Sequence, residues 1–380
     1  MNRQILNCGY LPLVDSAPLI IAQALGFAQE EGIALNLLRQ PSWAALRDLL
    51  ALGHLDAVHM LAPMPVAMSL GLSGKQIATD ALMMLSINGT VTGVSKAVAN
   101  RMREQGWSGA FLDKSGTRDA LLACCTGEAA LRVGVPFPYS MHRFLFAHWM
   151  GAQIGAFEFV TMPPPLMAQA VSDGEIDLFC VGEPWGTVAV ETAVAELILP
   201  SVEIWNRAPE KVLAVRRDWG EQNARAAGAL MRAIHRACAW LDTPDNHGLA
   251  SGILARSEHL DLPDHAIDRA LTGQILPALC RTPIEVPAFL RFHRGGATVP
   301  QREQADWIAS AMAQSQSMDL ADVLGAARAS FRTDLYTAYI PDAALEISLA
   351  QTPFGAAHDG TIPSSGAFFG GATQDHLPKK

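Results

Sequence analysis

A chain of 380 residues is too long to close around one hydrophobic core and suits two lobes of ordinary size. Half of it is hydrophobic and 17% is charged, which excludes a disordered, solvating chain, and Gln23, Gln29 and Glu30 break the best apolar run before the roughly eighteen residues that a bilayer span needs. The net charge of -9 disfavours a nucleic-acid backbone as direct ligand, because phosphate contacts rest on Lys and Arg, yet a local cation or a helix N-terminus can still hold a small anion.

In chain order, the first lobe is predicted to open with a strand over 4–11, a loop over 12–17, a helix over 19–29 with Pro18 in its first turn, and a strand over 34–39. Ser42 is placed to cap a helix over 44–52, which sets Trp43 at its start. A strand over 57–61, a helix over 65–70 and a strand over 77–85 complete this lobe. The polar, Gly-bearing stretch 87–95 is predicted to be the first crossing. A second lobe, 96–204, then holds a helix over 117–125, a strand over 131–135 and a helix over 142–151. A strand over 157–161 follows, then a helix opened by Pro163-Pro164-Pro165, a strand near 178 and a helix running through 195. Around 207–215 the chain is predicted to return, so that 1–95 and 205–352 form one discontinuous lobe. Beyond 221 the pattern reads as helical, with Trp240, Trp307, Phe331 and Tyr336 as packing anchors. The Gly-, Ala-, Ser- and Pro-rich stretch 353–380, which includes Phe368 and Phe369, reads as a flexible tail.

Two segments echo each other. Gly53-His54-Leu55-Asp56 leads to Pro63, and Gly174-Glu175-Ile176-Asp177 leads to Pro184, with seven residues from Asp to Pro in both. Gly9 to Gly26 and Gly134 to Gly151 are each seventeen apart, so one α/β half is predicted to be built twice at an offset of 121 to 125 residues. Open α/β sheets bind ligands at the carboxyl ends of their strands, and two facing halves would form a cleft there.

No metalloprotease, nucleophile-elbow, phosphate-loop, dinucleotide or CxxC motif is present. Cys180 lies in an apolar strand, where a thiol packs as a small hydrophobe, and His54 and His59 read as ordinary surface or buried histidines. What the cleft-facing positions offer is donors. Trp43 has an indole N–H at a helix start, His142 an imidazole N–H and Gly182 an unshielded backbone N–H after a strand. Lys211 brings a full charge, and Thr90 and Thr92 bring hydroxyls. Such a set suits an oxyanion that only accepts, such as nitrate or nitrite, and disfavours bicarbonate, whose hydroxyl needs an acceptor. Taken singly, Trp43 could be a core aromatic, His142 a cap and Lys211 a solvated charge. Glu183, next to Gly182, would repel an anion unless it points away.

Five blocks carry a family resemblance: Gly9-Tyr10-Leu11-Pro12-Leu13, Arg39 to Asp48 around Trp43, His59-Met60-Leu61-Ala62-Pro63-Met64-Pro65, Cys180-Val181-Gly182-Glu183-Pro184-Trp185, and Pro209-Glu210-Lys211. In them the chain resembles the nitrate/bicarbonate-binding proteins of ABC importers and their cytoplasmic relatives, the NasS-type nitrate/nitrite sensors. The resemblance implies an α/β, two-lobed type II periplasmic-binding-protein (Venus-flytrap) fold with a helical C-terminal extension. It implies nitrate or nitrite held by Trp43, Thr90, His142, Val181, Gly182 and Lys211, with no catalytic residue, metal or cofactor. Where the transporter proteins are expected to read Asn-Gly-Gln, this chain has Asn88-Gly89-Thr90, which exchanges an amide contact for a shorter hydroxyl.

Met1-Asn2-Arg3 leads at once into the first strand, with no room for a signal peptide, and the six cysteines are scattered, so the expectation is a cytoplasmic protein with reduced thiols. The favoured reading is accordingly the sensor. Its implied partner is a NasT-type RNA-binding regulator with an ANTAR domain, held without ligand and released on anion binding, with no direct nucleic-acid or membrane contact. The alternatives are a substrate-binding subunit of a nitrate/nitrite importer and, on the same fold, an enzyme of the thiamine-precursor type, for which only Cys124-Cys125 offers an unexplained cluster.

Overall fold

The computed structural model describes residues 3–72, 74–125 and 130–351. Its ten longer strands are β1 (Gln4–Tyr10), β2 (Ile33–Arg39), β3 (Ala57–Leu61), β4 (Thr79–Asn88), β5 (Thr90–Ser95), β6 (Leu131–Val135), β7 (Phe157–Thr161), β8 (Leu178–Gly182), β9 (Ala195–Pro200) and β10 (Pro209–Arg216). They form two sheets. The first has the order β4-β10-β3-β1-β2, extended beside β4 by the short strand Leu290–Arg291, and the second has the order β7-β6-β8-β5-β9.

Both sheets follow one plan. β1 runs parallel to β2 and β3, as β6 does to β7 and β8. An antiparallel strand then joins each: β10 between β3 and β4, and β5 between β8 and β9. The sequence echo is the same construction in atoms. The Asp56 carboxylate accepts from the Asn7 N–H at 2.8 Å, and Asp177 accepts from the Arg132 N–H at 2.9 Å. A side chain on Gly9 would come within 2.5 Å of Leu55, and one on Gly134 within 2.7 Å of Ile176, so each glycine lets the Leu or Ile before the turn press onto the first strand.

Several expectations are corrected. The crossing expected over 87–95 lies within Asn88-Gly89, but the residues around it are the end of β4 and all of β5, buried along almost their whole length. Asn88 (φ 62°) fixes that point: its side chain donates to the carbonyls of Asn206 and Ala288 and accepts from the Ala208 N–H, which joins the outgoing crossing to the return. The helix read through 195 ends at Glu191. Ala193 has φ 63° and Ala195 begins β9, whose apolar run after Glu196 is too short for its period to separate strand from helix. The helix expected over 19–29 is two helices, Ala17–Ala24 and Phe27–Glu30, broken at Gly26 (φ 81°). The helix Lys96–Glu104, capped by Ser95, was missing from the sequence reading.

The C-terminal part is not helical throughout. Between the helices Asp264–Thr272 and Arg302–Gln316 lie the short pair Gln274–Ile275 and Ile284–Glu285 and the strand that extends the first sheet. Of the four anchors, Phe331 and Tyr336 are buried while Trp240 and Trp307 are half-buried. Asp80, itself buried at the edge of β4, ties these helices down by accepting from Arg217 at 2.7 Å and Arg332 at 2.6 Å. Residues 353–380, with Phe368 and Phe369, lie outside the described residues. All six cysteines are unpaired, with Cys280 exposed rather than buried, and no described helix is long and apolar enough to cross a membrane.

Candidate anion-binding site

The two sheets meet through the loops at the carboxyl ends of their strands. The Val14 N–H donates to the Glu183 carbonyl at 3.0 Å, the Trp185 indole to the Pro12 carbonyl at 2.9 Å, and the Tyr139 hydroxyl to the Leu72 carbonyl at 3.1 Å. From the first sheet's side come Asp15, Trp43, His59, Glu210 and Lys211, and from the second's come His142 and Gly182. Each of the six with side chains is at most 4% exposed.

Local chemistry puts each in place. The Ser42 hydroxyl accepts from the Ala45 N–H at 3.2 Å and opens the helix Trp43–Ala51 with Trp43 as its first residue. Ser140 does the same for the helix Met141–Met150 by accepting from Arg143, which seats His142 in the first turn. Lys211 is carried by β10 between β3 and β4, and Gly182 ends β8 opposite Thr90.

At the centre is a buried charge set. The Lys211 ammonium lies 2.6 Å from Asp15 Oδ2 and 2.8 Å from Glu210 Oε1, and 5.6 Å above the centre of the Trp43 ring. Asp15 Oδ1 is 2.8 Å from His59 Nε2, and the His59 ring sits 5.3 Å from that of Trp43. His142 Nδ1 stands 3.2 Å from Glu210 Oε1 without the alignment of a hydrogen bond. A β-carbon on Gly182 would fall 3.5 Å from Asp15 Oδ2 and 4.0 Å from the Lys211 nitrogen, so the bare glycine backbone faces the cation.

Protonation follows from burial and these neighbours. Burial raises the Asp15 carboxyl, but Lys211 and His59 outweigh it and hold it at about 2. Burial lowers the Lys211 ammonium, but the two carboxylates outweigh that and lift it above its ordinary value. His142 is driven well below the usual imidazole range by burial and by Lys211, and His59 is lowered by burial against the pull of Asp15. Both imidazoles are therefore neutral at pH 7. For Glu210 burial wins over Lys211 and raises the carboxyl to about 7. Four buried polar atoms of the cluster are left over: the indole Nε1 of Trp43, a donor without an acceptor, the Nδ1 atoms of His59 and His142, and Glu210 Oε2.

Of the six residues read from the sequence, the structure brings Trp43, His142, Gly182 and Lys211 together. Thr90 is buried opposite Gly182 in the ladder. Val181 packs its side chain in the core, and the Thr92 hydroxyl is 3.5 Å from the Cys180 thiol. Glu183 points away from the cluster, accepting from the Thr187 N–H at 3.0 Å at the start of the next helix, and burial raises its carboxyl to about 7. Sequence reasoning missed Asp15, His59 and Glu210. Their presence corrects the picture of a site made mostly of donors: two carboxyl groups stand beside the cation, and an ionised Glu210 could accept from a hydroxyl-bearing anion such as bicarbonate.

Residues 2–255 match the NMT1-like family. Among curated proteins, the nitrate/nitrite binding protein NrtA of Nostoc sp. is 33% identical over 247 residues, covering 63% of this chain and 54% of that protein. The bicarbonate transport ATP-binding protein CmpC of Synechococcus elongatus is 31% identical over 320 residues, covering 83% of this chain and 46% of that one. The chain thus spans about half the length of these curated relatives. Among solved structures, the periplasmic nitrate-binding protein NrtA from Synechocystis superposes with a TM-score of 0.80 at 26% identity, covering 96% of this chain and 92% of that one. A ligand-binding component of an ABC-type import system from Staphylococcus aureus, with a TM-score of 0.65 at 17% identity, shares the fold. The two-sheet α/β architecture is a periplasmic-binding-protein fold, as the motifs implied, with a helical C-terminal region.

Proposed function

The chain belongs to the NMT1-like family, homologous to the nitrate and bicarbonate substrate-binding proteins of ABC transporters, and from that premise we propose that it binds nitrate or nitrite between its two sheets without transforming it. The observation that carries the proposal is the fully buried Trp43 indole N–H, left without an acceptor beside the Lys211 ammonium and the open backbone of Gly182. A flat oxyanion with no proton of its own supplies acceptors to all three. Each hydrogen bond to the anion contributes about 1.5–3 kcal/mol. The Synechocystis relative, whose name says that it binds nitrate, supports the same reading.

The test is titration of the purified chain with sodium nitrate, nitrite and bicarbonate, read as melting temperature. A ligand that binds only the folded state adds about 2.7 kcal/mol at a hundred times its dissociation constant. Nitrate or nitrite should raise the midpoint in a saturable way, and no rise with either would end the proposal. Trp43→Phe keeps the ring and removes the N–H, and is expected to weaken anion binding by about 1.5–3 kcal/mol with little change in the stability of the free protein. Unchanged affinity on calorimetry would take Trp43 out of the site.

Beyond binding, we propose a cytoplasmic sensor that holds an ANTAR-domain RNA-binding regulator of the NasT type and releases it when the anion closes the lobes. The six unpaired cysteines suit a reducing compartment. The importer reading is supported by the names of the relatives, which include import ATP-binding proteins. The two readings differ in sign. In the sensor the anion and the partner oppose each other through one coupling free energy, whereas in an importer subunit the liganded, closed form is the one that docks. Pull-down of the purified regulator with and without nitrate separates them. Capture lost on adding nitrate supports the sensor, and capture that nitrate does not change overturns it.

A further inference from the structure

Outside the anion site, three side chains from distant parts of the chain converge. His235 lies on the helix Ala224–Leu241, His293 just beyond the strand Leu290–Arg291, and Glu346 on the helix Ala343–Gln351, the last described element. One ligand-type atom from each lies within 4.8 Å of the other two. His293 Nε2 is 3.3 Å from Glu346 Oε1, and the rings of His235 and His293 meet edge to face at 4.8 Å. Tetrahedral bonds of about 2.1 Å set ligand atoms about 3.4 Å apart, so the His293–Glu346 pair already has the spacing of two ligands on one ion.

Two of the atoms have no other use. His235 Nε2 and Glu346 Oε2 are both buried without a hydrogen-bond partner, and Glu346 is only 7% exposed. A histidine–glutamate ion pair by itself accounts for His293 and for one carboxylate oxygen, but it leaves the second imidazole and the second oxygen unexplained. Two imidazole nitrogens and one carboxylate oxygen are the donor set of borderline divalent ions and leave a fourth position open.

We propose that His235, His293 and Glu346 form a binding site for one divalent transition-metal ion of the zinc class. The ion clips the helix Ala343–Gln351 to the body of the chain. That helix also buries Ala343 and Ala350 in the core, approaches Gly296 so closely that a β-carbon there would come within 2.2 Å of the Glu346 carbonyl oxygen, and accepts from the Gln301 amide at the Ala350 carbonyl at 3.3 Å. A metal bond between segments 111 residues apart in sequence closes a long loop, where a cross-link has most effect on the unfolded chain.

The full chain, stripped with a chelator and free of nitrate, is titrated with zinc chloride by calorimetry and with cobalt chloride by visible absorption. Expected are one zinc per chain, a raised melting temperature, and the absorption of cobalt in a tetrahedral nitrogen and oxygen field. His293→Ala is the safer variant because that side chain is 24% exposed, and it and Glu346→Gln should each weaken zinc binding at least about tenfold. His265→Ala tests an exposed histidine–carboxylate pair that could hold zinc instead, since His265 lies 3.0 Å from Glu191 on the surface. Loss of binding in that variant, retention in the other two, or no stoichiometric zinc in the wild type would each overturn the proposal.

Discussion

Lys211→Met is expected to destabilise the fold by about 3–5 kcal/mol and to abolish the rise in melting temperature caused by nitrate. The ammonium is fully buried and is the cation for two carboxyl groups at once, Asp15 at 2.6 Å and Glu210 at 2.8 Å. Methionine fills a similar volume, so the effect isolates charge rather than packing. Removing one partner of a buried ion pair costs more than the pair contributed, because the remaining charge has lost its water and gains nothing in exchange. Asp15 is left with only His59, and the larger cause of its low pKa is gone.

Linkage gives this prediction a pH signature. Asp15 titrates at about 2 in the folded state against 3.8 for the free group, so its contribution is fully present above about 4 and is lost as pH falls through about 2. The stability gap between wild type and Lys211→Met should therefore be widest at neutral pH and narrow between about 4 and 2. Adding Asp15→Asn to the variant should restore part of the urea midpoint, since the uncompensated charge is removed with its partner, while anion binding stays lost. An unaltered urea midpoint together with an intact nitrate response in the single variant would falsify the assignment of Lys211 to the centre of the site.

The parts of the fold that were legible in the sequence are those with turn chemistry at both ends. β1, β3, β6 and β7 are short apolar runs bounded by Gly, Asp or Pro, and the repeated Gly-x-(Leu/Ile)-Asp turn marks the same position in both sheets because the same carboxylate must accept from the first strand. β5 and β9 were hidden for different reasons: β5 (Thr-Val-Thr-Gly-Val-Ser) is rich in small polar residues and reads as a crossing although almost all of it is buried, and the apolar run of β9 follows directly on a helix and reads as its continuation. In the site, Trp43 and His142 were legible because Ser42 and Ser140 announce helix starts. Asp15 and Glu210 were not, since a carboxyl group beside an anion's cation looks wrong by sign, and only the distances show that burial and Lys211 set its charge. The trio at 235, 293 and 346 has no local motif at all. Metal spacing in sequence is visible only when the ligands share an element.

The second large effect concerns Glu210. As a carboxylate it would repel a nitrate at Lys211, and as a carboxylic acid it offers one more donor through its unpartnered Oε2. The groups facing it are Lys211 on its own strand, Asp15 from the turn Val14–Ser16, His142 from the helix Met141–Met150 and Cys180 from β8. Lys211 is raised, Asp15 sits at about 2, His142 is held well below the usual range and Cys180 is pushed up to about 12, chiefly by burial. Among these, only Glu210, at about 7, changes charge near neutrality. Apparent affinity scales with the fraction of protein in the competent form, which here is the protonated one, so nitrate binding should be flat below about pH 6.5 and fall roughly tenfold per unit well above 7. The sign is fixed: raising the pH weakens nitrate and favours a hydroxyl-bearing anion that can donate to the carboxylate. Glu210→Gln keeps a donor and cannot ionise, so its nitrate affinity should be independent of pH over 6.5–8.5. Glu183 also sits at about 7 but is turned toward Thr187, so Glu183→Gln should leave the wild-type slope in place. Calorimetry at four pH values on the three proteins decides the matter, because a slope that survives in Glu210→Gln, or vanishes in Glu183→Gln, assigns the proton elsewhere.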